Sequence, residues 1–299
     1  MDNIKKIHWK RGMELTPTAF TDADNFHVFN NIITRRLCVP KVYGLIPEQD
    51  FDLQFTISGN QLCISKIKLS YIDMKGQLVQ VFQDQAINVP INSSGTYFIT
   101  ISDVHDNCIE ENGTPYIEQA FQIKPIEIRE FSIDTAFPFM KVIYLDGILS
   151  PLDFIPPCYT INAYHRLHQL ATESMQKLGQ IVEIIEKEAS SEILNHIGLI
   201  YIELNSTFPH IACSDFIMQL QKVAYILKTS RILEKQDDKL QEKIEPFIKY
   251  CYSHTHLYEY LHDALYLFEM AKNALKEKEP QPTHIKKKEP EEEEFTLML

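Results

Sequence analysis

The sequence predicts an α+β chain in three parts: an N-terminal antiparallel β-sandwich over residues 1–157, a C-terminal four-helix bundle over 158–276, and a charged tail over 277–299. Three observations predict it. Up to about Leu145 apolar residues alternate with polar ones, the period of half-buried strands. From Tyr164 onward they recur at spacings of three and four, the period of a helix packed along one stripe. Between the two regimes stand Pro156 and Pro157, which fix φ, lack backbone donors and hold Ile155 and Pro156 out of helical conformation. The segment Asp153-Phe154-Ile155-Pro156-Pro157 therefore reads as a rigid elbow between the two halves.

The first element is a helix at about Pro17–Arg36. Thr16 is a suitable N-cap, Pro17 occupies the first helical position, and Asp22 and Asp24 follow near the positive end of the dipole. Trp9 is the one tryptophan and is expected to anchor this helix on the sheet. Phe51, Leu53, Phe55 and Ile57 alternate with Asp52, Gln54 and Thr56 in a strand. Leu62/Ile64 and Ile67/Leu69/Tyr71 follow, then a turn at Asp73–Gly76 and a strand burying Leu78/Gln80/Phe82 or the opposite face. After a turn at Asn92–Gly95 come a strand at Tyr97–Ile101, a polar loop at Asp103–Pro115, and strands near Tyr116–Ile123, Ile126–Ile133 and Phe139–Leu145. Lys75-Gly76 and Asn112-Gly113 are candidate hairpin tips. Strands without intervening helices predict an antiparallel sandwich or barrel.

Past the elbow, one stripe runs through Tyr164, Leu167, Ala171, Ser174, Leu178, Ile181 and Ile185, and a second through Ile193, Ile197, Ile200 and Leu204. Phe216, Leu220, Val223 and Leu227 form the third, capped at Ser214 or Asp215. The fourth and longest runs from Phe247 through Tyr250, His254, Leu257, Leu261, Ala264, Phe268 and Ala271 to Leu275. Sustained alternation of three and four predicts bundle or coiled-coil packing. Flanking Leu170, Val182, Ile217, Leu265 and Leu267 widen the stripes enough to cover a second surface, such as another copy of the chain. In the Lys-, Glu- and Pro-rich tail, Phe295, Leu297 and Leu299 form a candidate docking peptide.

Composition excludes several functions. A net charge of -12 argues against nucleic acid, whose phosphates are bound by Lys and Arg. No apolar run approaches the ~20 residues of a membrane span, so no direct membrane insertion is expected. Six scattered cysteines without a CxxC read as buried thiols of a reducing cytoplasm. His254 and His256 fall on different helical faces, and His165 with His168 has no carboxylate partner, so no metal site is expected. Asp103, His105 and Asp106 share a segment read as a self-satisfied turn. GxGxxG, P-loop, GxSxG and HExxH motifs are all missing, which predicts no enzyme and no cofactor.

Two segments carry a resemblance. HWKRGMELTPTAFTDADNF, with Trp9, Gly12, Met13, Leu15, Pro17, Phe20 and Asp24, resembles the opening of the type VI secretion baseplate subunit TssK family, where a W-x-x-G-M-x-L-x-P-x-x-F pattern precedes a helix. Asp153–Cys158 resembles that family's D-[FY]-[IV]-P-P-C segment. Tyr43-Gly44-Leu45 and Pro209-His210 are weaker similarities in the right order. The resemblance implies a homotrimeric, non-catalytic adaptor in a contractile injection machine, with a β domain like the shoulder of phage receptor-binding proteins. It implies binding to the wedge proteins TssF and TssG, a helical neck on the three-fold axis, and a link to the membrane-anchor protein at the cytoplasmic face of the envelope. The family's further C-terminal domain is expected to be missing after the fourth helix. A baseplate or receptor-binding protein of a phage-like particle is the alternative. A ligand-binding sandwich with a helical appendage is a third reading, which a pocket with convergent polar groups would support.

Overall fold

The longest apolar alternation of the first half, Leu62 to Tyr71, lies on β3 (Gln61–Ile72), the hub of the first sheet. The computed structural model describes residues 10–14, 16–38, 43–47, 51–111, 114–187, 192–229 and 238–276. With twelve residues, β3 accommodates two short antiparallel partners on each edge: β2 (Asp52–Ser58) and β1 (Gly44–Leu45) on one, β5 (Ile87–Pro90) and β4 (Leu78–Gln83) on the other. Gln54 pairs with Lys66 but Phe55 with Ile64, so Ser65 is an extra residue and its hydroxyl donates to the Gln54 carbonyl at 3.2 Å. That bulge is why the buried positions pass from even (Leu62, Ile64) to odd (Ile67, Leu69, Tyr71). On β4 the buried face is Val79 and Val81, leaving Leu78 and Phe82 exposed. Asp73 Oδ1 closes the β3–β4 turn by accepting from the backbone of Lys75 and Gln77.

The second sheet has the order β7-β6-β8-β9, comprising β6 (Gly95–Glu111), β7 (Thr114–Glu127), β8 (Ala136–Leu145) and β9 (Ile148–Leu152). Tyr97, Ile99, Ile101, Phe137, Phe139 and Val142 face the first sheet in one continuous core. Across the two sheets Tyr71 and Phe137 stack with ring centroids 3.9 Å apart.

Three expectations fail in this half. The segment read as a polar loop, Asp103–Pro115, belongs to a paired β6–β7 ribbon, with a bulge between Ser102 and His105 at which Asp103 takes φ 52°. Polar residues read as loop because a loop needs water, yet two strands can satisfy their backbones mutually without burying a face. The Asn112-Gly113 tip lies outside the described residues. The strand expected at Ile126–Ile133 ends at Glu127, and tight turns follow, closed by Glu130 N to Glu127 O and Thr135 N to Ser132 O. There Phe131 turns back edge-on to Phe98 instead of continuing a ladder. β9 was not anticipated, although Asp146-Gly147, both at positive φ between Leu145 and Ile148, is a hairpin signal.

Thr16 caps α1 (Pro17–Cys38), its Oγ1 accepting from Ala19 N at 3.2 Å. The later half holds α2 (His165–Lys187), α3 (Glu192–Thr207), α4 (Cys213–Thr229), α5 (Asp238–Lys249) and α6 (Leu257–Lys276). Among the described residues these are five α-helices where four were expected, because the stripe from Phe247 to Leu275 is interrupted. Ser253 is extended (φ -132°, ψ 128°), and a single 3-10 turn, His254–His256, precedes α6. The break is satisfied locally: Gln221 Nε2 donates to the Phe247 and Tyr250 carbonyls, and Tyr260 OH donates to Cys251 O. The rhythm of three and four reports which residues are buried, and it survives an interruption that returns in phase. α2 and α6 run together, tied by Lys177 to Glu269 at 2.6 Å. α2 and α3 approach at Gly179, where an added Cβ would lie 2.8 Å from the Tyr201 hydroxyl oxygen.

Candidate functional site

The elbow is a joint made by three segments distant in sequence. Extended backbone through Pro156-Pro157 offers carbonyls but no donors, so it can only be paired from outside. Leu45 on β1 does this: its N–H donates to Pro157 O at 2.8 Å and its carbonyl accepts from Tyr159 N at 2.9 Å. Approach this close requires Gly44, at φ +117°, because a Cβ there would lie 2.7 Å from backbone atoms of Pro157 and Cys158. On the other side of the elbow Ile161 N donates to Ile211 O, Asn162 N to Pro209 O, and Cys213 N to Tyr159 O. The Phe208–Pro209 peptide is cis. Asn162 Nδ2 lies 3.2 Å from His210 Nδ1, and Phe208 stacks on His168. Elbow, β1 and the α3–α4 connection thus form one hydrogen-bonded layer between sheet and helices.

Each elbow side chain has a definite place. Asp153 accepts from Tyr258 OH on α6 at 3.2 Å. Phe154 packs on Phe98, their centroids 5.2 Å apart. Ile155, Pro156, Pro157 and Cys158 are buried, and Cys158 Sγ donates to Pro156 O. Burial raises the thiol pKa of both Cys158 and Cys213, keeping them protonated and inert. Further contacts bind the halves: Lys141 on β8 to Glu259 on α6 at 3.4 Å, and Tyr43 against His254 with centroids 5.1 Å apart. Burial is therefore shared across the joint, and the two halves have one core.

Leu167, Leu178, Ile181, Ile185, Leu257, Leu261 and Phe268 are all buried within the single chain, at the α2–α6 centre. They pack the intrachain bundle and leave nothing to offer a second copy. Leu170, Val182, Ile217 and Leu267, expected to widen the stripes outward, are also buried, because α2, α4 and α6 are covered on more than one side. The apolar side chains that do face outward are different ones: Leu199 (63 % exposed), Ile202 (66 %) and Tyr225 (56 %) on α3 and α4. With Met218 and Ile248 near them, Leu199 and Tyr225 border a shallow groove of about 490 Å³. Their only sequence signal was being apolar off the main stripe. On α1, Pro17 is exposed and Phe20 is 51 % exposed. Trp9, Phe295, Leu297 and Leu299 lie outside the described residues. Among the described residues no three His, Cys, Asp or Glu side chains are grouped to hold a metal ion, and no helix is long and apolar enough to cross a membrane.

No family model matches the sequence, and no curated protein is similar to it in sequence. Solved structures are similar to it in fold. A chain of the type VI secretion system TssK-TssF-TssG baseplate subcomplex superposes with a TM-score of 0.58 at 14% identity, covering 91% of this chain and 99% of that one. TssK in its crystal structure gives 0.55 at 13% identity over 90% and 69%. TssK from the EAEC type VI secretion system, in complex with a nanobody, gives 0.55 at 14% over 87% and 100%. The chain has the fold of TssK from its sheets through its helices.

Proposed function

We propose that this chain is a structural, non-catalytic adaptor of a type VI secretion baseplate. In this reading it binds the wedge proteins TssF and TssG and connects them to the membrane-anchor protein at the cytoplasmic face of the envelope. The observation that carries the reading is the likeness, over nine-tenths of the chain, to a chain of the TssK-TssF-TssG baseplate subcomplex. The joint agrees with a force-transmitting part: its backbone is hydrogen-bonded on both sides and the core runs through it, so it resists bending.

Assembly as a homotrimer belongs to the same proposal. Its support is the outer α3–α4 surface, where Leu199, Ile202 and Tyr225 stand in water in the single chain. Covering such side chains is worth about 25 cal/mol per Å² of apolar area. Light scattering on the purified full-length chain tests the oligomer, and co-purification with co-expressed TssF and TssG tests the partnership. A mass near three chains and a stable ternary complex are expected. A monomer at micromolar concentration that captures neither wedge protein would leave the likeness as one of fold only.

A further inference from the structure

The groove between α3 and α4 is apolar and open to water. Leu199, Met218 and Tyr225 line it as exposed side chains, with Ile248 of α5 beside them. The directions of the helices decide what lies within its reach. α2 leaves the elbow at His165, and α6 leaves it at Leu257, next to the Tyr258–Asp153 hydrogen bond. Lys177 pairs with Glu269, each twelve residues into its helix, so α2 and α6 run parallel and Lys276 stands at the far end of the helical half. α3 runs back from that end toward the elbow, which places Leu199 seven residues from its start at Glu192, about 10 Å along the axis. Eighteen residues, 277–294, join Lys276 to Phe295, and a chain of that length spans up to about 60 Å. The groove is therefore within reach of residues 295–299 of the same chain. A tether of this length gives the segment it carries an effective concentration on the order of 1 mM, enough to fill a weak site.

The chemistry of that segment matches the groove. Phe295, Leu297 and Leu299 alternate with Thr296 and Met298, so an extended conformation projects three large apolar side chains from one face. Four glutamates, Glu291–Glu294, precede them. On the α4 side of the groove Lys222 is exposed and has no ion-pair partner among the described residues. The carboxylate on the lining, Glu203, belongs to α3, so an acidic run is drawn to the α4 side.

We infer that the α3–α4 groove is the docking site of the chain's own segment Phe295–Leu299. Phe295, Leu297 and Leu299 lie against Leu199, Met218, Tyr225 and Ile248, and the preceding glutamates lie at Lys222. Ile202 is not on the groove's lining, so the docked segment and a neighbouring copy overlap at Leu199 and Tyr225 but not at Ile202. The probe is a fluorescein-labelled peptide of residues 291–299, read by anisotropy as full-length chain is titrated in. Two chains are compared: wild type, and a variant with Phe295→Ser, Leu297→Ser and Leu299→Ser that frees the groove. The freed groove is expected to bind the peptide with a Kd of about 0.1–0.5 mM, and wild type about threefold to tenfold more weakly, because its own segment competes. Adding Leu199→Gln and Tyr225→Gln to the serine variant is expected to weaken binding about tenfold. Both positions are exposed on helices, so these neutral changes keep the melting temperature. Three results overturn the inference: no binding to the serine variant, equal affinity for wild type and the serine variant, or unchanged affinity in the folded glutamine variant. The test reads docking and not mass, so it is independent of the adaptor reading. A trimer that forms while the peptide fails to bind leaves that reading standing, and a monomer that binds the peptide leaves the inference standing.

Discussion

Gly44→Ala tests the joint most directly. At φ +117° a residue with a Cβ is strained by about 1–3 kcal/mol. The Cβ also meets backbone carbons and a nitrogen at 2.7 Å, and no side chain rotation relieves a contact with backbone. Either β1 or the elbow must move, which stretches the hydrogen bonds from Leu45 N to Pro157 O and from Tyr159 N to Leu45 O, each worth about 1 kcal/mol. The total is about 3–5 kcal/mol, or a fall in Tm of roughly 5–8 °C for a chain of this size. Gly59→Ala is the internal control. Gly59 also has positive φ (+59°), but a Cβ there meets nothing within 4 Å, so only the conformational cost of about 1–2 kcal/mol applies. Urea unfolding of both variants, followed by far-UV circular dichroism, separates the terms. A Gly44→Ala loss no larger than that of Gly59→Ala would refute the claim that the close approach holds the joint.

Further outcomes follow from the helical half and the outer surface. Leu261→Ala at the α2–α6 centre is expected to cost about 2–5 kcal/mol by urea unfolding, and Leu257→Asp to prevent folding altogether, since both sites are fully buried. Glu269 is held at about 2 by hydrogen bonds from Lys177 and Lys272. A carboxylate depressed in the folded state contributes stability above its ordinary value of 4.5, and that contribution is lost as pH falls toward 2. With 38% of the side chain exposed, screening limits it to about 0.5–1 kcal/mol, so wild type and Glu269→Gln should differ by that much at pH 7 and converge by pH 2. Under the proposed trimer, Ile202→Glu with Tyr225→Glu should give a folded monomer by light scattering with an unchanged far-UV circular dichroism spectrum, and a trimer that survives both changes would place the contact elsewhere. In the native chain, maleimide should label exposed Cys251 within minutes while buried Cys158 and Cys213 react only after unfolding, as site-resolved mass spectrometry would show.

Much of the local structure is legible in the chain, for reasons visible at particular residues. Thr16-Pro17 starts α1 because a cap and a fixed φ act within one turn. The apolar residues Leu62/Ile64 and Ile67/Leu69/Tyr71 are legible as strand positions because side chains alternate between faces, and the pairing with β2 shows that their change of phase is a bulge. Where the reading failed, the deciding partner was remote or the signal ambiguous. Asp103–Pro115 looked like loop because its polar residues and Asn112-Gly113 outnumber Val104 and Ile109, and backbone pairing itself leaves no mark on the side-chain pattern. The break between α5 and α6 was hidden because Gln221, some thirty residues away, satisfies the carbonyls that the break exposes.

The functional surfaces divide the same way. The sequence by itself determined that a β half meets a helical half at Pro156-Pro157, because proline restricts its own backbone and its neighbour's wherever it stands. It also marked Tyr43-Gly44-Leu45 and Pro209-His210 as separate points of resemblance. Only the tertiary structure decided that these two segments flank the elbow on opposite sides and that Gly44 is required by contact with Pro157 and Cys158. It likewise decided that Leu167, Leu178, Ile181, Ile185, Leu257, Leu261 and Phe268 are spent on the bundle while Leu199, Ile202 and Tyr225 remain outside. Periodicity states that a face is buried, but what buries it is a long-range fact, set by which elements compete for that face when the chain packs.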